Sequence, residues 1–212
     1  MDPTRLCNEL INTVRSFHGS GLSTGTSGNA SVRSEAGFII TPTGVDYDDL
    51  QSESLVEMDL NGTVVNGALK PSSEWRFHRA IYTSRPETNA VVHVHSPYAT
   101  GIACTRKGIP AFHYMIALAG GDCIRCAEYA TFGTEALSDN ALAALQDRKA
   151  CLLANHGQIA VGGDLQEALT LAEAVENLAQ QYWISTVFGE PELLDADEMR
   201  VNLEKFRHYG EQ

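Results

Sequence analysis

The sequence predicts one α/β domain. Segments with apolar residues at helical spacing alternate with short β-branched runs, the mixture that builds a sheet covered by helices. No repeat, low-complexity tract or linker-like stretch divides the 212 residues. A chain of that length suits one large domain and buries about 70% of the surface its unfolded form exposes, so it needs no covalent staples.

The elements follow in order. Leu6, Leu10, Ile11, Val14 and Phe17 recur at helical spacing after Pro3, and Gly19 ends this amphipathic opening helix. Gly25-Thr26-Ser27-Gly28-Asn29-Ala30-Ser31-Val32 is too rich in glycine and small polar residues for a helix interior. Phe38-Ile39-Ile40 reads as a short strand leading into the turn Thr41-Pro42-Thr43-Gly44. Residues 55–59 and Val64-Val65 flank Asn61-Gly62, a strong hairpin signal. Ser72 is read as the N-cap of a helix running through Phe77, Ala80 and Ile81 to about Ser84.

A strand, Val91-Val92-His93-Val94-His95, comes next, then a helix around residues 98–103. Residues 109–133 alternate short apolar runs with Gly120-Gly121 and Gly133, and residues 134–147 read as another helix. Ala150-Cys151-Leu152-Leu153-Ala154 predicts a buried strand that ends at His156-Gly157. Asp164 with Glu167 resembles a capping box one residue short. Leu165, Ala168, Leu169, Ala172, Val175, Leu178 and Tyr182 then form a long helical stripe. An acidic, proline-containing stretch over residues 190–198 precedes a last helix ending at Tyr209-Gly210.

Composition narrows the partners. Asp and Glu outnumber Lys and Arg by 27 to 15, and no basic run exceeds two residues. The expectation is therefore no nucleic-acid partner and no anionic membrane surface. An anionic substrate must be held by local donors rather than by the overall field. No apolar run approaches the length of a membrane span, and residues 1–5 lack a signal peptide's apolar core. Five irregularly spaced cysteines suit a reducing cytoplasm. Cys123-Ile124-Arg125-Cys126 has no second pair and no thioredoxin-like setting, so it is read as structural.

The chemistry concentrates in a few residues. Side chains two apart on a strand share a face, so His93 and His95 project side by side, within reach of one metal ion. His156 would sit at the end of a second buried strand. Three imidazoles with a carboxylate or an open position make the ligand set of a catalytic zinc site. Glu74, read as lying in the first turn of its helix, is placed either as a fourth ligand or as a general base. Gly25-Thr26-Ser27-Gly28-Asn29, Thr41-Pro42-Thr43-Gly44 and Ser72-Ser73 could together turn amides and hydroxyls toward an anion.

These motifs, in this order, resemble the class II aldolase/adducin-head family. The resemblance also takes in Pro71-Ser72-Ser73-Glu74-Trp75-Arg76-Phe77-His78, His113-Tyr114-Met115-Ile116 and Tyr129-Ala130-Thr131-Phe132-Gly133-Thr134, and it runs from Leu22 to Tyr209-Gly210. It implies a single three-layer domain over residues 1–212, with a largely antiparallel mixed sheet flanked by helices. It also implies a homotetramer with active sites at subunit interfaces. His93, His95 and His156 would ligate zinc, or manganese or cobalt in its place, with Glu74 as fourth ligand at rest. Thr26, Asn29, Thr43, Gly44, Ser72 and Ser73 would hold a phosphate, and Phe132 would line the pocket. Tyr114, and Tyr209 from a neighbouring subunit, would serve the aldehyde half.

The implied reaction is reversible cleavage of a ketose 1-phosphate between C3 and C4, giving dihydroxyacetone phosphate and an aldehyde. The substrate would be of the L-fuculose 1-phosphate type, or a 5-deoxy- or 5-methylthio-ribulose 1-phosphate. Glu74 would protonate C3, a tyrosine would handle the proton at the C4 oxygen, and no lysine Schiff base is needed. Within the family the rivals are a ribulose-phosphate 4-epimerase and a methylthioribulose-1-phosphate dehydratase. The epimerases typically carry aspartate at Glu74 and another near Leu118, and both differences favour the aldolase. An adducin-like interaction module would lack the metal ligands, which this chain keeps.

Overall fold

Eight strands make one sheet at the centre of the computed structural model, which describes residues 3–207. In chain order they are β1 (Asn29–Arg33), β2 (Gly37–Ile40), β3 (Val56–Asp59), β4 (Val64–Asn66), β5 (Ala90–Val94), β6 (Arg125–Ala127), β7 (Ala150–Leu153) and β8 (Gly157–Gly162). Their spatial order is β4-β3-β2-β1-β5-β8-β7-β6, and only the β6–β7 pair is parallel. The expected α/β class, with a largely antiparallel mixed sheet between helices, is what the chain adopts.

The period of two along each strand separates two cores. On β5, Ala90, Val92 and Val94 pack with α1 (Pro3–Gly19), α3 (Pro97–Ala103) and α5 (Leu165–Phe188). Val91 points the other way, onto α2 (Trp75–Ser84) and α4 (Glu135–Leu145), where Phe77, Ile81, Leu137 and Ala141 are fully buried or nearly so. Each such large apolar side chain contributes about 1.5–3 kcal/mol on burial. His93 is in phase with Val91 and so faces α2 rather than solvent. A final helix, α6 (Ala196–Arg207), packs on the 3-10 helix Tyr114–Ala119.

The structure refines several local readings. Residues 29–33 form a strand although Asn29, Ala30 and Ser31 carry little strand propensity. Its polar face is covered by α2, so tertiary pairing with β2 and β5 decides. Helix α2 itself starts at Trp75, with Glu74 directly before it, but Ser72 opens the turn that leads in: its hydroxyl accepts from the Glu74 amide at 3.3 Å and its carbonyl from the Trp75 amide at 3.1 Å. The Ser72 amide donates to the Thr41 oxygen, and Pro71 just before it bridges Pro42. Asp164 does cap α5, accepting from the Glu167 amide at 2.8 Å. The returning bond from the Glu167 carboxylate lands on the Gly163 amide, one residue early. Tyr209-Gly210, expected at the end of the last helix, lie outside the described residues.

Candidate active site

Three turns and one strand bring the chemistry together. His93 lies near the end of β5, His95 follows one residue past it, and His156 sits in the β7–β8 turn. There Asn155 adopts a left-handed conformation (φ 54°) to reverse the chain. Gly157 is required next to it, because a Cβ there would meet the Val94 oxygen at 2.5 Å and His95 Cδ2 at 2.8 Å. Gly28, at φ +88°, lets the loop before β1 pass the His93 carbonyl, which a Cβ would approach to 2.8 Å.

The ligand atoms converge as the sequence predicts. Glu74, His93, His95 and His156 each offer one atom within 4.8 Å of the others. His93 Nε2 lies 3.0 Å from His95 Nε2 and 3.1 Å from Glu74 Oε2, and His156 Nε2 lies 3.2 Å from Glu74 Oε1.

The electrostatics identify what this cluster fits. His93 donates its Nδ1 proton to the Gln158 carbonyl at 2.9 Å, so its Nε2 presents a lone pair to the centre. Burial resists ionisation of Glu74, but His93, His156 and the Asn29 amide outweigh it and bring the carboxyl down to about 2. Burial first, and the neighbouring histidines after it, pull His95 to about 3. Burial leads for His156 as well, bringing it to about 4. Near neutral pH Glu74 is therefore a carboxylate facing the neutral rings of His95 and His156, and its Oε1 is buried without a hydrogen-bond donor. Acceptors crowded this closely are relieved by a divalent cation, and the donor set matches one.

A cavity of about 340 Å³ opens above the cluster. Thr26, Thr43, Gly44, Ser72 and Ser73 line one side, and Tyr129, Phe132 and Asn155 line the other. Among the described residues no lysine or arginine lines it, so an anion there meets hydroxyls and amides. The Thr43 and Ser72 amides are spent on the Lys70 and Thr41 carbonyls. Gly44 and Ser73 line the cavity with amides that are not spent in this way.

Two expected site residues stand elsewhere. Tyr114 lies outside this cavity, half exposed and stacked on Phe206 of α6, so within one chain it does not reach the cluster. Tyr209 lies outside the described residues. Asn29, expected to hold phosphate, lines the cavity but also donates to Glu74 Oε2 at 3.1 Å and accepts from His78 at 2.6 Å. His78, Ser31 and Tyr82, which carry that bonding inward, were not singled out from the sequence. The usable signal was spacing. Glu74, His78 and Tyr82 are four apart, and Asn29 and Ser31 two apart, so a helix stripe meets a strand stripe.

A family model described as Class II Aldolase and Adducin N-terminal domain matches residues 8–183. The chain belongs to this family. Among relatives of this class II aldolase-family chain, the 5-methylthioribulose-1-phosphate/5-deoxyribulose-1-phosphate aldolase of Rhodospirillum rubrum is 52% identical over 202 residues. That alignment covers 95% of this chain and 91% of the relative. The L-fuculose phosphate aldolase of Escherichia coli strain K12 is 48% identical over 211 residues, covering 99% and 98%. A solved structure described as L-fuculose 1-phosphate aldolase superposes with a TM-score of 0.94 at 42% identity, covering 96% and 97%. The expectation of an aldolase, an aldehyde-lyase, is met by family and relatives alike. Among the described residues no helix is long and apolar enough to cross a membrane.

Proposed function

We propose that this chain reversibly cleaves a ketose 1-phosphate to dihydroxyacetone phosphate and an aldehyde, using one divalent metal ion, preferentially zinc, per subunit. The observation that carries the reading is the convergence of Glu74, His93, His95 and His156 at the floor of a cavity rimmed by neutral donors. A divalent cation held by these four groups supplies a Lewis acid for the negative charge that appears on the substrate when C3–C4 breaks.

The chain's own residues do the rest. The hydroxyls of Thr26, Thr43, Ser72 and Ser73, with the Asn29 side chain and the Gly44 amide, receive the phosphate. Glu74 carries the proton at C3, being the one carboxylate in the cluster among the described residues. Phe132 walls the pocket. Tyr114 or Tyr209 handles the proton at the C4 oxygen, Tyr209 reaching the site from a neighbouring subunit. The exposed position of Tyr114 outside its own cavity favours that route. An apolar face at the end of α5 (Trp183, Ile184, Val187 and Phe188) supports assembly, read as a homotetramer. The domain is taken to span residues 1–212, since relatives align over nearly the whole chain. Five free cysteines favour a cytoplasmic setting.

Two substrates compete: the L-fuculose type and the 5-deoxy- or 5-methylthio-ribulose type, each named by a relative. The test is a panel of these ketose 1-phosphates, scoring dihydroxyacetone phosphate before and after chelation. Cleavage of at least one member, lost without metal and restored by zinc, is expected. Cleavage of none, or cleavage that persists in metal-free protein, overturns the reading.

A further inference from the structure

Behind Glu74 runs a line of buried polar side chains. Asn29 Nδ2 donates to Glu74 Oε2 at 3.1 Å, and His78 Nε2 meets Asn29 Oδ1 at 2.6 Å. Ser31 Oγ lies 2.7 Å from His78 Nδ1 and 2.8 Å from the Tyr82 hydroxyl. None of the five side chains is more than slightly exposed.

The chemistry of one end fixes every bond in the line. An ionised carboxylate only accepts, so Asn29 must turn its NH2 toward Glu74 and its oxygen toward His78. His78 must then carry its proton on Nε2, which leaves Nδ1 to accept from the Ser31 hydroxyl, and Ser31 in turn accepts from Tyr82. All donors point toward the carboxylate. Burial, followed by the influence of His93, pulls His78 down to about 3, so the ring is neutral as this arrangement demands. The ring is also clamped by stacking on Phe77, centroids 4.6 Å apart. Rotating the Asn29 amide would set its oxygen against the Glu74 carboxylate and its NH2 against the Nε2–H of His78.

We propose that His78 is a positioning residue for Glu74. Its Nε2–H locks the Asn29 amide and thereby holds the carboxylate in its place in the cluster, while the Ser31 hydroxyl donates to its Nδ1 and accepts from Tyr82. This rests on the reading of Glu74 as metal ligand and C3 proton carrier. It adds to that reading a set of residues that never touch substrate.

The test compares His78→Phe, which keeps a ring on Phe77 but no proton, with His78→Gln, which offers an N–H to Asn29 and an oxygen to Ser31. Folding is checked by thermal unfolding. Zinc affinity of the metal-free protein is read with a competing chromophoric chelator. The phenylalanine variant should bind zinc at least about ten-fold more weakly, as loss of a residue orienting a ligand typically does, and glutamine should restore most of it. In parallel, kcat on a cleaved ketose 1-phosphate should fall by a similar factor, with KM changed less. Nitrogen-15 spectra of the metal-free wild type should show His78 protonated at Nε2.

Protonation at Nδ1, or wild-type zinc affinity in folded His78→Phe, overturns the proposal. So does a glutamine variant that folds but binds zinc as weakly as phenylalanine. Should His78→Phe not fold, Ser31→Ala takes its place. Asn29 still takes the Nε2 proton there, so that tautomer should persist, and a shift of the proton to Nδ1 overturns the proposal. A wild type that binds zinc with this tautomer yet cleaves no ketose 1-phosphate would refute the assigned reaction alone.

Discussion

His93 gives its Nδ1 proton to the backbone oxygen of Gln158 at 2.9 Å, and that bond decides which of its nitrogens enters the ligand cluster. The strand pair β5–β8 supplies the acceptor, so sheet formation itself selects the tautomer. Replacing His93 by alanine should therefore abolish tight metal binding. Metal analysis after dialysis against a chelator checks this, and full retention of metal and activity would remove His93 from the site.

Glu74→Gln should fold and keep much of its metal but lose proton transfer at C3. The amide is close in shape and cannot act as a base near neutral pH. The measurement is deuterium incorporation at C3 of dihydroxyacetone phosphate, and exchange at the wild-type rate would count against the assigned role.

Gly157→Ala should distort the site from behind. Its new methyl would press on the Val94 oxygen and the His95 ring. We expect a stability loss of about 1–3 kcal/mol, as for overpacked core positions. Zinc occupancy should drop with it. Chemical denaturation and metal content together check both effects, and a fully occupied variant of native stability would show that the turn yields.

Acid should destabilise the metal-free protein well above the carboxylate range. His78 sits near 3 when folded and about 6.5 when unfolded, so between those values the unfolded chain binds the extra proton. Its contribution is complete above about pH 6.5 and is lost as pH falls toward the folded value, with a slope approaching 1.4 kcal/mol per pH unit (about one proton). His95 and His156 act in the same direction. Urea unfolding at pH 7, 6 and 5 measures this. His78→Phe should show a shallower decline, and an identical slope would contradict the assignment.

Tyr114→Phe and Tyr209→Phe should slow C3–C4 cleavage while leaving C3 proton exchange largely intact. Exchange needs the metal, the phosphate grip and Glu74, but not a proton donor at the C4 oxygen. Equal loss of both activities, or of neither, would place the altered tyrosine outside the cleavage step.

Much of the site was legible because ligand chemistry leaves short-range marks. His93 and His95 are two apart on a β-branched run, and His156 follows a second one. The two helical stripes of α1 and α5 and the Asn61-Gly62 hairpin were equally plain. What stayed hidden depends on partners far along the chain. β1 carries polar residues on one face because α2 covers them. Helix α2 itself starts at Trp75 after a turn opened by Ser72, and no local pattern announces the Pro42–Pro71 bridge just before it. Tyr114 reads as a site residue through its motif, but its position relative to the cavity is set by packing against α6.

The bond from His93 to Gln158 spans 65 residues, and it has a kinetic consequence. Closing so long a loop costs entropy before any contact rewards it, and chains dominated by such contacts fold slowly. Glu74, His93 and His156 are brought together only when β1, β5 and β8 have all joined the central sheet. The site therefore cannot be complete before these distant segments have met. A nascent chain would expose isolated histidines long before it could grip a cation, so metal capture would mark the completion of folding and not its nucleation.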